Sequence, residues 1–339
     1  MTAGSDWTAN FGAFTYHGGA LEVARRLTPD ATKPWIDLST GISPHAYPLP
    51  DLKPEAWSRL PESGALAELE AVAAQRYNIA AESVVAGAGS QALIQALSHI
   101  LPAGAVSVLA PTYSGFASAF SASGARVVEA KQLEDLDDVD VAIVVNPNNP
   151  DGRILSRAAL LDLHERLGRR GGMLIVDEAF ADFNAKESLA PSLPRSGAVV
   201  LRSFGKAYGL AGLRLGFALA SPDIVPSLRL TLGPWPVSGP AIAIGVRALA
   251  DSDWLEVTRA RLSKDAVRLD ALLLGAGWRI VGGTCLFRLA AHRDARAAFT
   301  RLLAAGILVR PFADASNRLR FGIPADENAW ERLATALRE

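Results

Sequence analysis

The residues best suited to chemistry cluster in RSFGKAYGLAGLRLGF, from Arg202 to Phe217. Lys206 stands there among glycines and small residues. Ser203 precedes it, and Arg214 follows beyond a second Gly-rich turn. AVVLRS before this stretch and LRLGFALA at its end read as buried strands, so Lys206 is expected in a loop between strands. An amine held out of water has a lowered pKa and forms a Schiff base with a carbonyl. A hydroxyl, glycine amides and a guanidinium nearby suit a phosphate. A single lysine in a Gly-rich turn is more often an ordinary surface residue; its companions along the chain decide the matter.

Four other stretches are those companions. SVVAGAGSQALIQALSHIL reads as a strand, a glycine turn and a helix opening near Ser90. The free amides and positive dipole end of that helix make Ala88, Gly89 and Ser90 an anion site. The same stretch loosely matches a dinucleotide fingerprint, but VLAPTY downstream lacks the acidic residue that fingerprint needs, so a nicotinamide-binding oxidoreductase is a distant reading. AVSVLAPTYSGF is a strand leading to Tyr113, a core aromatic or one lying flat on a ring. VDVAIVVNPNNPDG ends a strand in adjacent asparagines, and in a parallel sheet ligands bind at that edge. GGMLIVDEAF ends a strand in Asp177 and Glu178. A buried carboxylate needs a partner, and a protonated pyridine nitrogen is one. A reactive lysine beside a phosphate site, with a carboxylate for a pyridine, is what pyridoxal phosphate requires.

The elements that must position these groups alternate strand and helix with short loops, the mark of a mostly parallel sheet covered on both faces. The chain has 339 residues, half of them hydrophobic and 20% charged, with a net charge of −1. That size allows sub-domains around one large core, and the charge gives no field favouring nucleic acid. The single cysteine, Cys285, excludes an intrachain disulfide and fits a reducing cytoplasm. MTAGSDWTANFGAF lacks a signal-peptide pattern, no apolar run is long enough for a bilayer, and no metal site is expected. Residues 1–60 read as an irregular arm, 61–240 as the large domain and 241–339 as a small α+β domain. HGG at His17 and DLSTGISPHAYP from Asp37 stand out in the arm. A histidine beside glycines is more often a turn residue than a ligand. The run Gly233–Pro240 reads as a hinge or subunit-contact loop. Arg310 and Arg320 are read as closing two short strands, as surface charges or as a bidentate grip on carboxylate or phosphate.

Taken together, GAGS, PTY, NPNNPDG, VDEAF, SFGKAYGLAGLRLG and LRFG resemble the fold-type I pyridoxal-phosphate enzymes, in the branch holding histidinol-phosphate aminotransferases and threonine-phosphate decarboxylases. The resemblance covers nearly the whole chain and implies an α/β fold with a mostly parallel seven-stranded sheet and a smaller α+β C-terminal domain. It implies Lys206 as the Schiff-base lysine and Asp177 as the partner of the pyridine nitrogen. Asn149 would bond the ring hydroxyl, and Tyr113 would stack on the ring. Ala88, Gly89, Ser90, Ser203 and Arg214 would form the phosphate cup. Arg320 would take the substrate α-carboxylate and Arg310 the substrate phosphate, with His17 and Gly41 as further substrate contacts.

HGG, DLSTGISP and GPWPVSGPA are similar to segments of the threonine-phosphate decarboxylases of cobalamin synthesis. The implied reaction is decarboxylation of L-threonine O-3-phosphate to (R)-1-aminopropan-2-ol O-2-phosphate, by a cytoplasmic homodimer whose arm crosses the subunit boundary. The alternative is an aminotransferase acting on histidinol phosphate or a related amino acid; a more distant one is a non-catalytic binding protein of the same fold. The chain departs from the aminotransferase pattern at Phe180, Leu60 and Gly41, where Tyr, Tyr and Asn are usual. These departures weaken the aminotransferase reading more than the cofactor reading.

Overall fold

The computed structural model describes residues 12–15, 17–101 and 104–338, and the segment 1–11 read above for a leader lies outside them. The chain forms two compact units. One holds the residues up to His45 together with those from Thr258 onward; the other is Ala46–Val257. In chain order the strands begin with β1 (Ile36–Asp37) in the first unit. The second unit holds β2 (Val84–Gly87), β3 (Ala105–Leu109), β4 (Arg126–Ala130), β5 (Val141–Val145), β6 (Met173–Asp177), β7 (Ala198–Ser203) and β8 (Gly216–Ala220). The first unit resumes with β9 (Arg279–Thr284), β10 (Phe287–Ala291), β11 (Ile307–Leu308), β12 (Arg310–Pro311) and β13 (Arg318–Gly322).

The large unit is built on one seven-stranded sheet, ordered β2-β8-β7-β6-β5-β3-β4. Pairing is parallel from β4 through β7, and β8 runs antiparallel between β7 and β2. Both faces are covered, which explains the unbroken apolar runs. In β5 all five residues of VAIVV are buried. Ala142 and Val144 join one core with Leu69, Leu160 and Leu163, while Ile143 and Val145 join the opposite core with Leu93, Phe116 and Phe120. Helix starts follow local chemistry: Ser156 caps Arg157–Gly168 by accepting the Ala159 amide, and Ser238 caps Gly239–Ala250 by accepting the Ala241 amide.

The other unit carries an antiparallel sheet, β12-β13-β10-β9, and the parallel pair β1-β11, with helices Ala295–Ala304 and Glu327–Arg338. The unit boundaries differ from those read in the sequence. Helix Gly239–Ala250 packs on helix Ser63–Tyr77, which carries the large unit past residue 240. At the other end, the Tyr47 amide donates to the Tyr208 carbonyl at 2.9 Å, which ties the chain from Ala46 into that unit rather than the arm. Among the described residues no helix is long and apolar enough to cross a membrane.

Candidate active site

The carboxyl ends of the parallel strands and the start of helix Ser90–Ile100 surround a cavity of about 180 Å³. Gly89, Ser90, Tyr113, Asn149, Asp177, Ser203, Lys206 and Arg214 all line it. Eight residues read from separate stretches of sequence therefore share one cavity in the large unit. Ala88 does not line it; it is exposed in the turn just before.

Lys206 is not in an open loop, as the flanking strands suggested. It sits in a single helical turn, Phe204–Ala207, that follows β7 directly. Phe204 is fully buried and stacks on Tyr208 with ring centroids 4.3 Å apart, which anchors the turn. The Lys206 Nζ lies 5.5 Å from the centre of the Phe180 ring, so the position where the aminotransferase pattern has a tyrosine hydroxyl presents an aromatic face instead.

Asp177 ends β6 and Glu178 follows it; both are buried, pointing to different partners. Asp177 lines the cavity and accepts the Ala179 amide at 3.0 Å. Burial pushes its carboxyl up to about 6, while the Ala179 bond and the Lys206 charge pull it back. Glu178 turns away into a buried ion cluster. It accepts from Arg202 Nη1 at 2.7 Å and from the Leu189 amide at 2.6 Å, and Arg202 also bonds Asp182. Burial works against the Arg202 charge, yet Asp182, Tyr77 and Glu178 hold the guanidinium above its ordinary value. Removing one partner of such a cluster strands the others. Nothing in the sequence around VDEAF announces this cluster, because Arg202 and Asp182 reach Glu178 and each other only in the fold.

The anion-binding end depends on two glycines. Gly89 has φ +84°, and a Cβ there would lie 2.9 Å from Arg214 Nη2. A Cβ on Gly216, the first residue of β8, would lie 2.4 Å from the Ser90 amide nitrogen. Only glycine at both positions lets the guanidinium and the helix start close around one anion. Arg214 itself is in the left-handed region, φ 55°, at the end of the turn Ala211–Leu213.

Tyr113 is held from two sides. A side chain on Gly115 would meet its ring at 2.3 Å, and its hydroxyl donates to Gln91 Oε1 at 2.8 Å. Gln91 also lines the cavity and was not read from sequence, although its place next to Ser90 at the helix start was a usable signal. The adjacent asparagines divide their work. Asn148 is fully buried and ties strand ends together by donating to the Pro111 carbonyl and accepting from Thr112 Oγ1. Asn149 faces the cavity.

The remaining sequence candidates lie in the other unit. Arg310 opens β12 and Arg320 lies mid-strand in β13, correcting the reading that both close strands; they are direct partners in the antiparallel pair. Arg320 is buried, and its Nη2 donates to the Ser39 carbonyl at 2.6 Å. Burial, reinforced by Arg310, pushes its guanidinium down to about 9. Arg310 Nη2 donates to the Thr15 carbonyl at 2.9 Å. His17 is exposed, and burial of part of its ring followed by the Arg310 charge lowers its pKa. Gly41, φ 63°, lines another groove with Trp35, Pro44 and Arg332. Leu60, by contrast, belongs to the large unit and is exposed, beside Trp57 and Trp235.

The large-unit cavity fits pyridoxal phosphate on its own geometry. A buried carboxylate held above its ordinary range, a glycine cradle under a guanidinium, an amine in the wall and a clamped aromatic ring together suit a pyridine ring that carries a phosphate and an aldehyde. An α/β fold holding these groups at its strand ends defines a class of cofactor-dependent enzyme. The chain belongs to the aminotransferase class I and II family, which it matches over residues 33–337. It is 46% identical over 324 residues to threonine-phosphate decarboxylase of Pseudomonas aeruginosa, covering 95% of this chain and 96% of that protein. It is 40% identical to threonine-phosphate decarboxylase of a Sinorhizobium species, covering 95% and 97%. Its fold superposes on the crystal structure of histidinol-phosphate aminotransferase from Sinorhizobium meliloti in complex with pyridoxal-5'-phosphate. There the TM-score is 0.82 at 21% identity, with 94% of this chain and 93% of that one covered.

Proposed function

We propose that this chain is a pyridoxal-phosphate-dependent carboxy-lyase that converts L-threonine O-3-phosphate to (R)-1-aminopropan-2-ol O-2-phosphate, a step of cobalamin synthesis. The observation that carries this reading is the register partnership of Arg310 and Arg320. Like charges directly opposite on paired strands destabilise a sheet. Two guanidiniums held side by side suit a substrate bearing both a carboxylate and a phosphate, and threonine phosphate bears both. The decarboxylases of Pseudomonas aeruginosa and Sinorhizobium resemble this chain over nearly its whole length, which supports the same substrate.

The residues take these roles. Arg214, Ser203, Ser90 and the Gly89 turn hold the cofactor phosphate. Asp177 pairs with the pyridine nitrogen, Asn149 bonds the ring hydroxyl, and Tyr113 covers the ring face. Bound there, the cofactor supplies the electron sink for bond cleavage at the substrate Cα. Lys206 carries the reactive amine and afterwards returns a proton to Cα. Arg320 grips the α-carboxylate, fixing which Cα bond is set to break, while Arg310 and His17 take the substrate phosphate. Gly41 leaves room at the substrate where a side chain is usual.

Incubation of the pure holoenzyme with threonine phosphate and no keto acid tests the reading. Carbon dioxide and the amino-alcohol phosphate are expected in equal amounts. Turnover that instead requires 2-oxoglutarate and yields a keto product sinks it in favour of the aminotransferase alternative.

A homodimer is part of the same proposal. Leu49, Trp57, Leu60 and Trp235 are each more than half exposed, at 66%, 70%, 65% and 55%. They line an apolar groove of about 700 Å³ that shares Ala211 with the cofactor cavity. A patch of this kind marks an interface. Leu60→Glu is expected to turn a dimer into a monomer in sedimentation at micromolar concentration; a monomeric parent contradicts the assignment. A cytoplasmic setting also belongs to the proposal, supported by the single cysteine, Cys285, which leaves no intrachain disulfide. Cell fractionation checks it, and recovery outside the cytoplasm counts against it.

A further inference from the structure

HGG and DLSTG, two motifs of the arm, meet Arg320 at a single serine. We infer that Ser39 is a positioning residue for Arg320, which makes the seating of the HGG turn part of the carboxylate grip. The inference rests on the reading of Arg320 as the group that binds the substrate carboxylate.

Ser39 is almost completely buried, at 1% exposure. Its carbonyl accepts Arg320 Nη2 at 2.6 Å. Its amide and its hydroxyl both donate to Asp37 Oδ1, at 2.8 and 2.6 Å. The hydroxyl oxygen accepts the Gly19 amide at 2.7 Å. The hydroxyl proton has only one use, because an amide N–H cannot accept it and an ionised carboxylate must. Ser39 is therefore locked between the arm turn and Asp37, and its carbonyl direction is locked with it.

Neighbouring contacts fix the same segment. The Leu38 amide donates to the Leu308 carbonyl at 2.7 Å, and the Leu38 carbonyl accepts the Gly322 amide at 2.6 Å. A Cβ on Gly18 would stand 2.4 Å from the Ser39 carbonyl oxygen. The HGG turn thus lies on the same carbonyl that aims the arginine, and glycine at position 18 is what lets it lie there. Asp37 acts twice, as the acceptor that holds Ser39 and as the charge that raises the Arg320 pKa against burial. Removing a buried hydroxyl from such a chain leaves the Gly19 donor without its acceptor and frees the carbonyl to turn.

Two variants test this by independent routes: Ser39→Ala removes the hydroxyl, and Gly18→Ala presses on the carbonyl. In each, KM for threonine phosphate should rise about tenfold, and kcat should fall as well, because the carboxylate loses its fixed direction. Affinity for the amino-alcohol phosphate, which has no carboxylate, should stay within about twofold of the parent. Phenylglyoxal labelling of Arg320 in the resting holoenzyme, read by peptide mass, should be several-fold faster in both variants. Unchanged KM and labelling in both variants overturn the inference, as does equal weakening of substrate and product, which would mark a merely structural serine. Faster labelling in a protein that never turns over threonine phosphate would uphold the positioning role while refuting the proposed substrate.

Discussion

Lys206→Ala is expected to lower turnover of threonine phosphate on the order of 10³-fold or more, because it removes both the covalent anchor and the proton donor. The fold should survive. Lys206 is half-buried at the cavity wall, while Phe204 and Tyr208, which anchor its helical turn, are untouched. The cofactor should still bind through Arg214, Ser203 and the Gly89 turn, more weakly and in free exchange with solvent. Dialysis should then strip it, whereas the parent keeps it. Turnover near the parental rate would place the reactive amine elsewhere.

Asp177→Asn should act in opposite directions on stability and on activity. The parent carboxyl sits at about 6 in the folded chain against an ordinary 3.8. Below about pH 3 the group is protonated in both folded and unfolded chains and imposes no penalty. Between the two values the unfolded chain gives up a proton that the folded chain keeps, so stability falls as pH rises. Above about pH 6 the penalty is constant, on the order of 3 kcal/mol for the cofactor-free protein. Asparagine avoids it, and its carbonyl oxygen can still accept the Ala179 amide. The cofactor-free variant should therefore melt higher than the parent at pH 7 and level with it near about pH 3. With cofactor loaded, the variant should lose about 10²–10⁴-fold in kcat, since no carboxylate holds the ring proton. A variant less stable at pH 7, or one that keeps its kcat, contradicts the role given to Asp177.

The cavity was legible because its residues sit where strands end and turn residues begin. Asp177 closes MLIVD, Asn149 follows VAIVV, Ser203 closes AVVLRS and Gly89 follows VVAG; a parallel sheet brings all those ends to one edge. The alternation of strand and helix likewise announced the doubly covered sheet. Contacts between distant segments were not legible. Nothing local in VDEAF says that Glu178 faces Arg202 while Asp177 faces the cavity; the twofold period of a strand separates them, but their partners come from elsewhere in the fold. Arg310 and Arg320 are both visible as charges near strand ends, yet their partnership depends on register, which the short strands around them do not encode. The helical turn at Lys206 escaped notice because glycine and alanine there read as a loop, and packing of Phe204 on Tyr208 decides it. The Ser39 junction joins residues 18–19, 37–39 and 320, so it exists only once the chain has folded.

One measurement bears most directly on the whole account. The purified holoenzyme is reduced with borohydride, digested, and its peptides are weighed. The expected result is a phosphopyridoxyl mass increment on the peptide containing Lys206, at close to one per chain, and none on other lysines. An unmodified Lys206 peptide, or the increment on another lysine, would contradict it.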